Sequence, residues 1–588
     1  MRLLRALLFS AALTCLAGAE TAKLDGSFDA FVAQALKDWN VPGVAIAVVR
    51  DGHVTLIKGY GFRDVKKQLP VTPKTLFAIG SATKSFTVTS LGILVDEGKL
   101  DWDRPVREYL PNFRLQDEFA TERMTARDLV THRSGLPRHD LVWYNSPSSR
   151  AELVDRLRYL EPSKDFRTTF QYQNLMFMTA GYLAGQIAGK SWEDFARERI
   201  FGPLAMTASN FSIVDSQKAG DFALPYRKDK EEVKEIPFRN VDQVAPAGSI
   251  NSNVEDMLKY LSMHMHQGKY DGGQLLSEAN AVQMQTPQMV IPGHVRWKET
   301  GHQSYGMGFF ITTYRGHKLV HHGGNIDGFS ALVTFMPQDD IGMVILTNLN
   351  GTPMPSLLSY NVYDRLLGVD QVDWTARLKD DEKKQKASSE DAKKQGFTAR
   401  VPHTHPSHDL KDYAGEYENP GYGIAKITIE GESLRTTFNG LSAPLKHFHY
   451  DVFEVPEGTE DFPPLKLSFH TSLQGEIDSF AAPFESTTKE IVFTRAADRT
   501  MRSRSALEPL AGIYQLGPQS IAIAVRGETT LTLAIPGQPV YELKPTGGLK
   551  FGIQGLTGYA VEFKKNAAGN VDQVVFYQPN GTFAAKRK

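Results

Sequence analysis

Between Lys379 and Lys394 eleven of sixteen residues are charged and none is a large apolar residue. Such a stretch has no face to bury, so it reads as a linker or an exposed helix within 370–406 and splits the chain into two parts of different texture. Upstream, over 24–369, β-like runs such as Val44-Ala45-Ile46-Ala47-Val48-Val49 alternate with amphipathic helical stretches such as Phe86 to Gly98. That is a mixed α/β pattern. Downstream come short alternating runs separated by Gly and Pro, among them 424–430 and 521–525, which read as strands. Leu410-Lys-Asp-Tyr-Ala414-Gly415-Glu-Tyr417 returns 97 residues later as Leu507-Glu-Pro-Leu-Ala511-Gly512-Ile-Tyr514. A repeat of this kind predicts two similar β modules, small barrels, over 407–497 and 505–588. His403, His405 and His408 stand among prolines after the charged run. With no clear fourth ligand, they read as a solvated tail rather than a metal site.

The 588 residues allow two to four domains at about 150 residues each. Hydrophobic residues are 41% and charged residues 23%, a balance that excludes wholesale disorder and a multi-span membrane protein. Lys and Arg number 66 against 67 Asp and Glu, so no net field favours nucleic acid or an anionic membrane. The expected partner is a small molecule or a peptide.

Arg2 and Arg5 precede an apolar run from Ala6 to Ala17, and Ala17-Gly18-Ala19 supplies a small-x-small cleavage site. This predicts a signal peptide over 1–19, cut after Ala19, and an exported chain, periplasmic or extracellular. The run is shorter than the ~20 residues that span a bilayer, so a retained anchor is the weaker reading and the mature chain is expected to hold no membrane span. The only cysteine, Cys15, lies in this segment, and Leu13-Thr14 before it matches a lipoprotein signal poorly. A mature chain without thiols has no disulfides, no cysteine nucleophile and no thiolate metal site.

Ser81-Ala82-Thr83-Lys84 stands where the apolar segment Leu76 to Gly80 meets a helical pattern through Leu91 and Leu94. A serine at a helix start is exposed where the helix N-terminus favours developing negative charge, and Lys84 falls on the same face one turn on. A lysine there can take the serine proton if burial and neighbouring cations lower its pKa. The spacing alone is weak: Ser486-Thr487-Thr488-Lys489 repeats it in the β tail, where a strand would point the two side chains to opposite faces.

Tyr172 and Asn174 lie on an expected loop before the apolar helix Leu175 to Ala188. Beside an ammonium a phenol has its anion stabilised, so Tyr172 and Lys84 can share the proton of Ser81 and pass it to a leaving group. Asn174 can orient Lys84 and hydrogen-bond a substrate amide. A third group, His322-Gly323-Gly324-Asn325, reads as two strands around a glycine-rich bend. There the glycines let substrate lie against the backbone, an N–H near Asn325 faces an oxyanion, and His322 lines the cleft. For its neighbour His321 a packing or surface role is the expectation. Metal hydrolysis is the rival, but His264 and His266 fall on a helical pattern, where residues two apart diverge, and no acidic residue completes a site. No G-x-S-x-G is present to make an α/β-hydrolase elbow.

In order, Ser81-x-x-Lys84, Tyr172-x-Asn174 and His322-Gly323-Gly324 resemble the three motifs of the serine β-lactamase and penicillin-binding-protein superfamily, in its class C β-lactamase and D-Ala-D-Ala carboxypeptidase branch. Leu129 to Pro137, Pro246-Ala247-Gly248 and Tyr305-Gly306-Met307-Gly308 look like the same branch, and the similarity covers roughly Phe28 to Val369. The resemblance implies a β-lactamase/transpeptidase-like domain, an antiparallel sheet flanked by helices with an all-helical subdomain, and the site between them. It implies a two-step acyl transfer without a cofactor: Ser81 attacks, Lys84 and Tyr172 handle protons, and the N–H groups of Ser81 and Asn325 form an oxyanion hole. Class C β-lactamases carry Lys-Thr-Gly as the third motif, where this chain has His322-Gly323-Gly324. A histidine attracts a substrate carboxylate less reliably near neutral pH, which favours peptidase or esterase chemistry. The β tail also resembles small barrels that follow the catalytic domain in some D-aminopeptidase-like members and can contribute a loop to the cleft; restricting the substrate, binding the cell wall and holding partners together are the roles open to it. The reading of a different kind is a catalytically silent envelope-binding protein whose β modules carry its function.

Overall fold

In the strand Gly43–Arg50 side chains alternate between two cores. Val44, Ile46 and Val48 enter one, with Phe28 and Val32 of helix Gly26–Asp38 and Leu358 of helix Met354–Leu366. Ala45, Ala47 and Val49 enter the other, with Phe86 of helix Thr83–Asp96 and Leu261 of helix Val254–Met265. A strand alternates its side chains across the sheet, so helices on both faces demand an apolar residue at every position. The sheet has nine strands, all neighbours antiparallel, running from Met289–Val290 through Ser304–Tyr305, Phe310–Tyr314, His317–Ile326, Phe329–Met336, Ile341–Thr347, Gly43–Arg50 and His53–Asp64 to Leu69–Pro70. This computed structural model describes residues 24–588 apart from 25, 231, 397–399, 460–461, 474, 497–500 and 502. The expected signal segment 1–19, with Cys15, lies outside them. Among the described residues no helix is long and apolar enough to cross a membrane.

The helix that follows Ser81 differs from its amphipathic expectation. Thr83 to Leu94 are all buried, because the helix runs through the middle of the domain with no solvent face. Phe86 stacks on Tyr260 with ring centroids 3.6 Å apart and meets Phe201 edge-on. The charged run is helical, Trp374–Gly396, and its start is docked: Trp374 and Leu378 pack into the outer core beside Tyr363. Further along, Lys384 with Asp380 and Lys386 with Glu382 pair at i,i+4.

The repeat becomes two closed eight-stranded barrels, Gly415–Arg495 and Gly512–Arg587. Each closes at the same point, Tyr417 opposite Arg495 and Tyr514 opposite Arg587. The Tyr417 hydroxyl donates to the Tyr413 carbonyl at 2.9 Å and the Tyr514 hydroxyl to the Leu510 carbonyl at 2.8 Å. Arg495 donates to the carbonyls of Asp412 and Ala414, and Arg587 to those of Pro509 and Ala511, the equivalent positions of the repeat. The second Ser-x-x-Lys, Ser486 to Lys489, lies on an exposed loop between two strands of the first barrel, not on a strand. Among the described residues no three His, Cys, Asp or Glu side chains group to hold a metal, and His408 is engaged with Ser407 and the Gly475 carbonyl.

Candidate active site

Ser81 sits in a single 3₁₀ turn, Gly80–Ala82, that leads into the buried helix. Gly80 takes φ +51°, and the strand His317–Ile326 runs against the turn so closely that glycine is required on both sides. A methyl on Gly324 would fall 1.8 Å from the Ile79 carbonyl oxygen, and one on Gly80 would fall 2.9 Å from the Asn325 nitrogen. The approach is possible because Phe310–Tyr314 pairs with this strand only as far as His321, leaving the next residues free of that neighbour. Gly323 and Gly324 therefore lie within the strand, and the bend falls at Asp327-Gly328 instead. The expectation that the glycines open space for substrate is corrected at Gly324. Gly324 makes room for the Ser81 turn, and a methyl on Gly323 would meet only the Ala331 carbonyl at an ordinary 3.6 Å.

The structure brings Ser81, Lys84, Tyr172 and Asn174 together. The Lys84 Nζ lies 3.1 Å from Ser81 Oγ, 2.8 Å from Asn174 Oδ1 and 2.8 Å from the Ala247 carbonyl oxygen. The Asn174 amide is held the right way round because its Nδ2 donates to Asp140 Oδ1 at 3.2 Å. Asp140 in turn accepts from Trp143 Nε1 and from Arg138 Nε. Burial, and after it the Arg138 guanidinium, holds the Lys84 amine well below the ordinary lysine range, against the smaller pull of Asp140. A neutral amine has two N–H groups and one lone pair. The two carbonyl oxygens take the N–H groups, which leaves the lone pair for the Ser81 hydroxyl.

The Tyr172 ring lies 4.8 Å from the Lys84 Nζ and 5.2 Å from the Arg138 guanidinium, and its hydroxyl faces Ser81. Burial outweighs Ser81 and Arg138 and keeps the phenol above its ordinary range, so its anion is not favoured and it is protonated at neutral pH. His132, within the stretch Leu129 to Pro137, packs on the Tyr172 ring at 4.3 Å and accepts the Gln173 N–H at its Nδ1. Gln173 caps helix Asn174–Ala188 and donates to the Pro137 carbonyl, so His132 and Gln173 together fix the place of Tyr172.

His322 does not line the cleft. It is buried beside Phe310, donating from Nδ1 to the Gly323 carbonyl at 2.6 Å and accepting the Tyr305 hydroxyl at Nε2, 3.0 Å away. Burial, then Lys84, brings its pKa down to about 3, so it is a neutral packing group beneath Tyr172. His321 stacks on Phe310. Asn325 does reach the cleft, and its side-chain oxygen is occupied by the Ser330 hydroxyl and the Gly351 N–H.

Above Ser81 the cleft encloses about 280 Å³, walled by Arg138, Trp143, Tyr144, Val244, Ile326 and Asp327. A larger groove of about 880 Å³ lies elsewhere, along helix Val254–Met265, and includes Ser262 and His266. There the His266 Nδ1 is 2.9 Å from the Ser262 carbonyl and 3.5 Å from its hydroxyl, so it donates to the backbone and cannot accept the serine proton. The other histidine of that pair, His264, is buried on the helix while His266 is exposed, so they diverge as expected.

Residues 28–364 match the Beta-lactamase family, and 399–495 match a Domain of unknown function, DUF3471. The unguisins hydrolase of Aspergillus campestris is 32% identical over 432 residues, 70% of this chain and 78% of its own length. Protein flp of Staphylococcus aureus (strain COL) is 26% identical over 347 residues, 56% of this chain and 64% of its own. The solved structure of the octameric penicillin-binding protein homologue from Pyrococcus abyssi is similar in fold, with a TM-score of 0.53 and 24% identity over 79% of this chain and 99% of that chain. The first of these matches takes in more than half of the chain and every residue of the cleft, and on it the chain belongs to the β-lactamase family of serine hydrolases.

Proposed function

We propose that the chain hydrolyses an amide or ester through an acyl-enzyme on Ser81. The observation that carries this reading is the hydrogen-bond set of Lys84, two carbonyl acceptors and one hydroxyl. Lys84 takes the Ser81 proton as Oγ bonds to the substrate carbonyl carbon, and the carbonyl electron pair moves to oxygen. The backbone N–H groups of Ser81 and Asn325 stabilise that oxyanion. The leaving amine or alcohol departs with the proton, returned from the Lys84 ammonium by way of the Tyr172 hydroxyl. Water then gives a proton to the restored amine and attacks the ester carbon, and as the C–Oγ bond breaks the Lys84 ammonium returns that proton to Oγ, releasing the acid and free Ser81.

Intact-mass measurement after exposure to a fluorophosphonate or a penicillin tests this. The expected result is an adduct on Ser81 with at least one reagent, absent in Ser81→Ala. No adduct with either reagent rejects the enzyme reading in favour of a silent envelope-binding protein. For the substrate we propose D-amino-acid peptides or esters ahead of β-lactams. A neutral, buried His322 offers a substrate carboxylate no charge, and Arg138 is already paired with Asp140. The kinship with a hydrolase named for unguisins supports hydrolysis as the activity. Turnover of D-alanyl amides or p-nitrophenyl esters above nitrocefin is expected; the reverse order refutes the substrate assignment.

We also propose export, on the basic, apolar and small-x-small segments of 1–19. N-terminal sequencing of the mature protein should begin at Glu20, and an N-terminus at Met1 in exported material would reject cleavage.

A further inference from the structure

We propose that the first barrel is a working part of the active site: Tyr422, Asn439 and Glu485 clamp the segment Arg138 to Asn145, whose opposite side forms the cleft wall and orients Asn174. The inference rests on the Ser81 reading and gives the barrel a positioning role.

The contact is specific on the barrel side. His139 has its backbone N–H donated to Glu485 Oε2 at 3.0 Å, its Nε2 donated to the Glu161 carbonyl at 3.0 Å, and its Nδ1 facing the Tyr422 hydroxyl at 2.7 Å. With Nε2 facing a carbonyl, Nδ1 is the acceptor and Tyr422 the donor. Tyr422 and His139 are both fully buried, and His139 takes φ +46°, a conformation that a non-glycine residue keeps only where its surroundings hold it. Asn439, at the tip of the hairpin between strands Ser433–Phe438 and Leu441–His449, donates its amide to the Leu141 carbonyl at 2.8 Å and the Tyr144 carbonyl at 3.2 Å. Its own carbonyl accepts from Asn145 Nδ2 at 2.5 Å.

Alongside these tethers, on the same segment, lie the cleft residues Arg138, Asp140, Trp143 and Tyr144. Asp140 accepts from Asn174, and Asn174 accepts from Lys84. A short relay thus runs from Tyr422 through His139 and Asp140 to the amine. The packing agrees, because the first barrel shares one continuous apolar core with the catalytic domain, whereas the second barrel packs around a core of its own.

The groups that face Lys84 are Arg138 and Asp140 on the clamped segment, Tyr172 and His132 beside it, and His322 below. Releasing the segment admits water to the amine and draws Arg138 away, and both changes favour the ammonium. Full-length Tyr422→Phe, which keeps the ring in the core, and Asn439→Gly, which keeps the left-handed backbone of φ +49°, test this. Arg435→Gln, at a barrel residue whose guanidinium pairs with Glu430 instead of the clamped segment, serves as a control. The readout is the rate of fluorophosphonate acylation of Ser81 across a pH series, with melting temperature alongside. The expected result is acylation slower by on the order of tenfold to a hundredfold in the two clamp variants, the scale of small misplacements of reacting groups. The midpoint of the acid limb should move to higher pH, with the control unchanged. Wild-type labelling with both variants matching it in rate and midpoint overturns this inference alone. Failure of the wild type to label overturns the Ser81 reading and takes this inference with it.

Discussion

Replacing Lys84 with alanine is expected to slow acylation of Ser81 by at least ~100-fold, the scale of a lost general base, or about 2.7 kcal/mol of transition-state stabilisation. The wild-type rate should fall tenfold per pH unit on the acid side of the Lys84 pKa, because the ammonium has no lone pair. That limb lies well below the ordinary lysine range, since burial and Arg138 both disfavour the charged amine. In Lys84→Ala the limb should vanish along with the rate. Two effects on stability oppose one another. Removing a buried amine relieves its desolvation, while the Asn174 Oδ1 and the Ala247 carbonyl lose their donor, at about 1–3 kcal/mol for each buried group left unpaired. Lys84→Met, close to the lysine in length and without the amine, separates folding from chemistry: it should melt near the wild type and acylate as slowly as Lys84→Ala. Acylation at the wild-type rate in both variants would remove Lys84 from the proton path.

Ser81 and Lys84 were legible because the helix period alone puts residues three apart on one face, and the segment around them has a helical pattern. Tyr172 and Asn174 were legible as a motif, but their convergence on Lys84 depends on the strand and helix packing that spacing does not encode. The third motif misled. His322 is a glycine's neighbour in sequence, and only the fold places Tyr305 and Phe310 around it, turning a cleft histidine into a buried one. Ala247 acts through its carbonyl, which no side chain advertises. Arg138 and Asp140 pair with each other two residues apart, but their approach to Lys84 and Asn174 depends on packing that the sequence does not carry. The His139 to Tyr422 contact joins residues 283 apart and could not be read from either.

The fold was more legible than the site. Strand Gly43–Arg50 has an apolar run with no polar side, as a strand covered on both faces must. The barrel repeat was visible through Tyr417 and Tyr514, whose hydroxyls both reach a carbonyl four residues back. Their partners Arg495 and Arg587 were not, because each belongs to the last strand of its barrel and meets the tyrosine only on closure. The charged run illustrates the opposite limit. Its composition has no apolar face to bury, and it is helical because its first turn anchors Trp374 in the outer core, a tertiary contact that propensity does not carry.

Tyr172→Phe is the second large effect, again a loss of at least ~100-fold in acylation, and it separates two roles for the phenol. The ring stays where it is in this variant: its stacking against Lys84, Arg138 and His132 needs no hydroxyl. What disappears is the single O–H that faces Ser81 and carries a proton towards the leaving group. Burial keeps that phenol protonated at neutral pH, so it passes a proton on and does not begin as a base. The amplitude of the pH–rate curve should therefore drop while its acid limb keeps the wild-type midpoint, since that midpoint belongs to Lys84. If the midpoint instead vanished with the hydroxyl and Lys84→Ala kept its acid limb, the base would be a Tyr172 phenolate and the proton assignment would have to be reversed. Retention of the full acylation rate in Tyr172→Phe would leave the phenol as a packing group between the Lys84 amine and the Arg138 guanidinium.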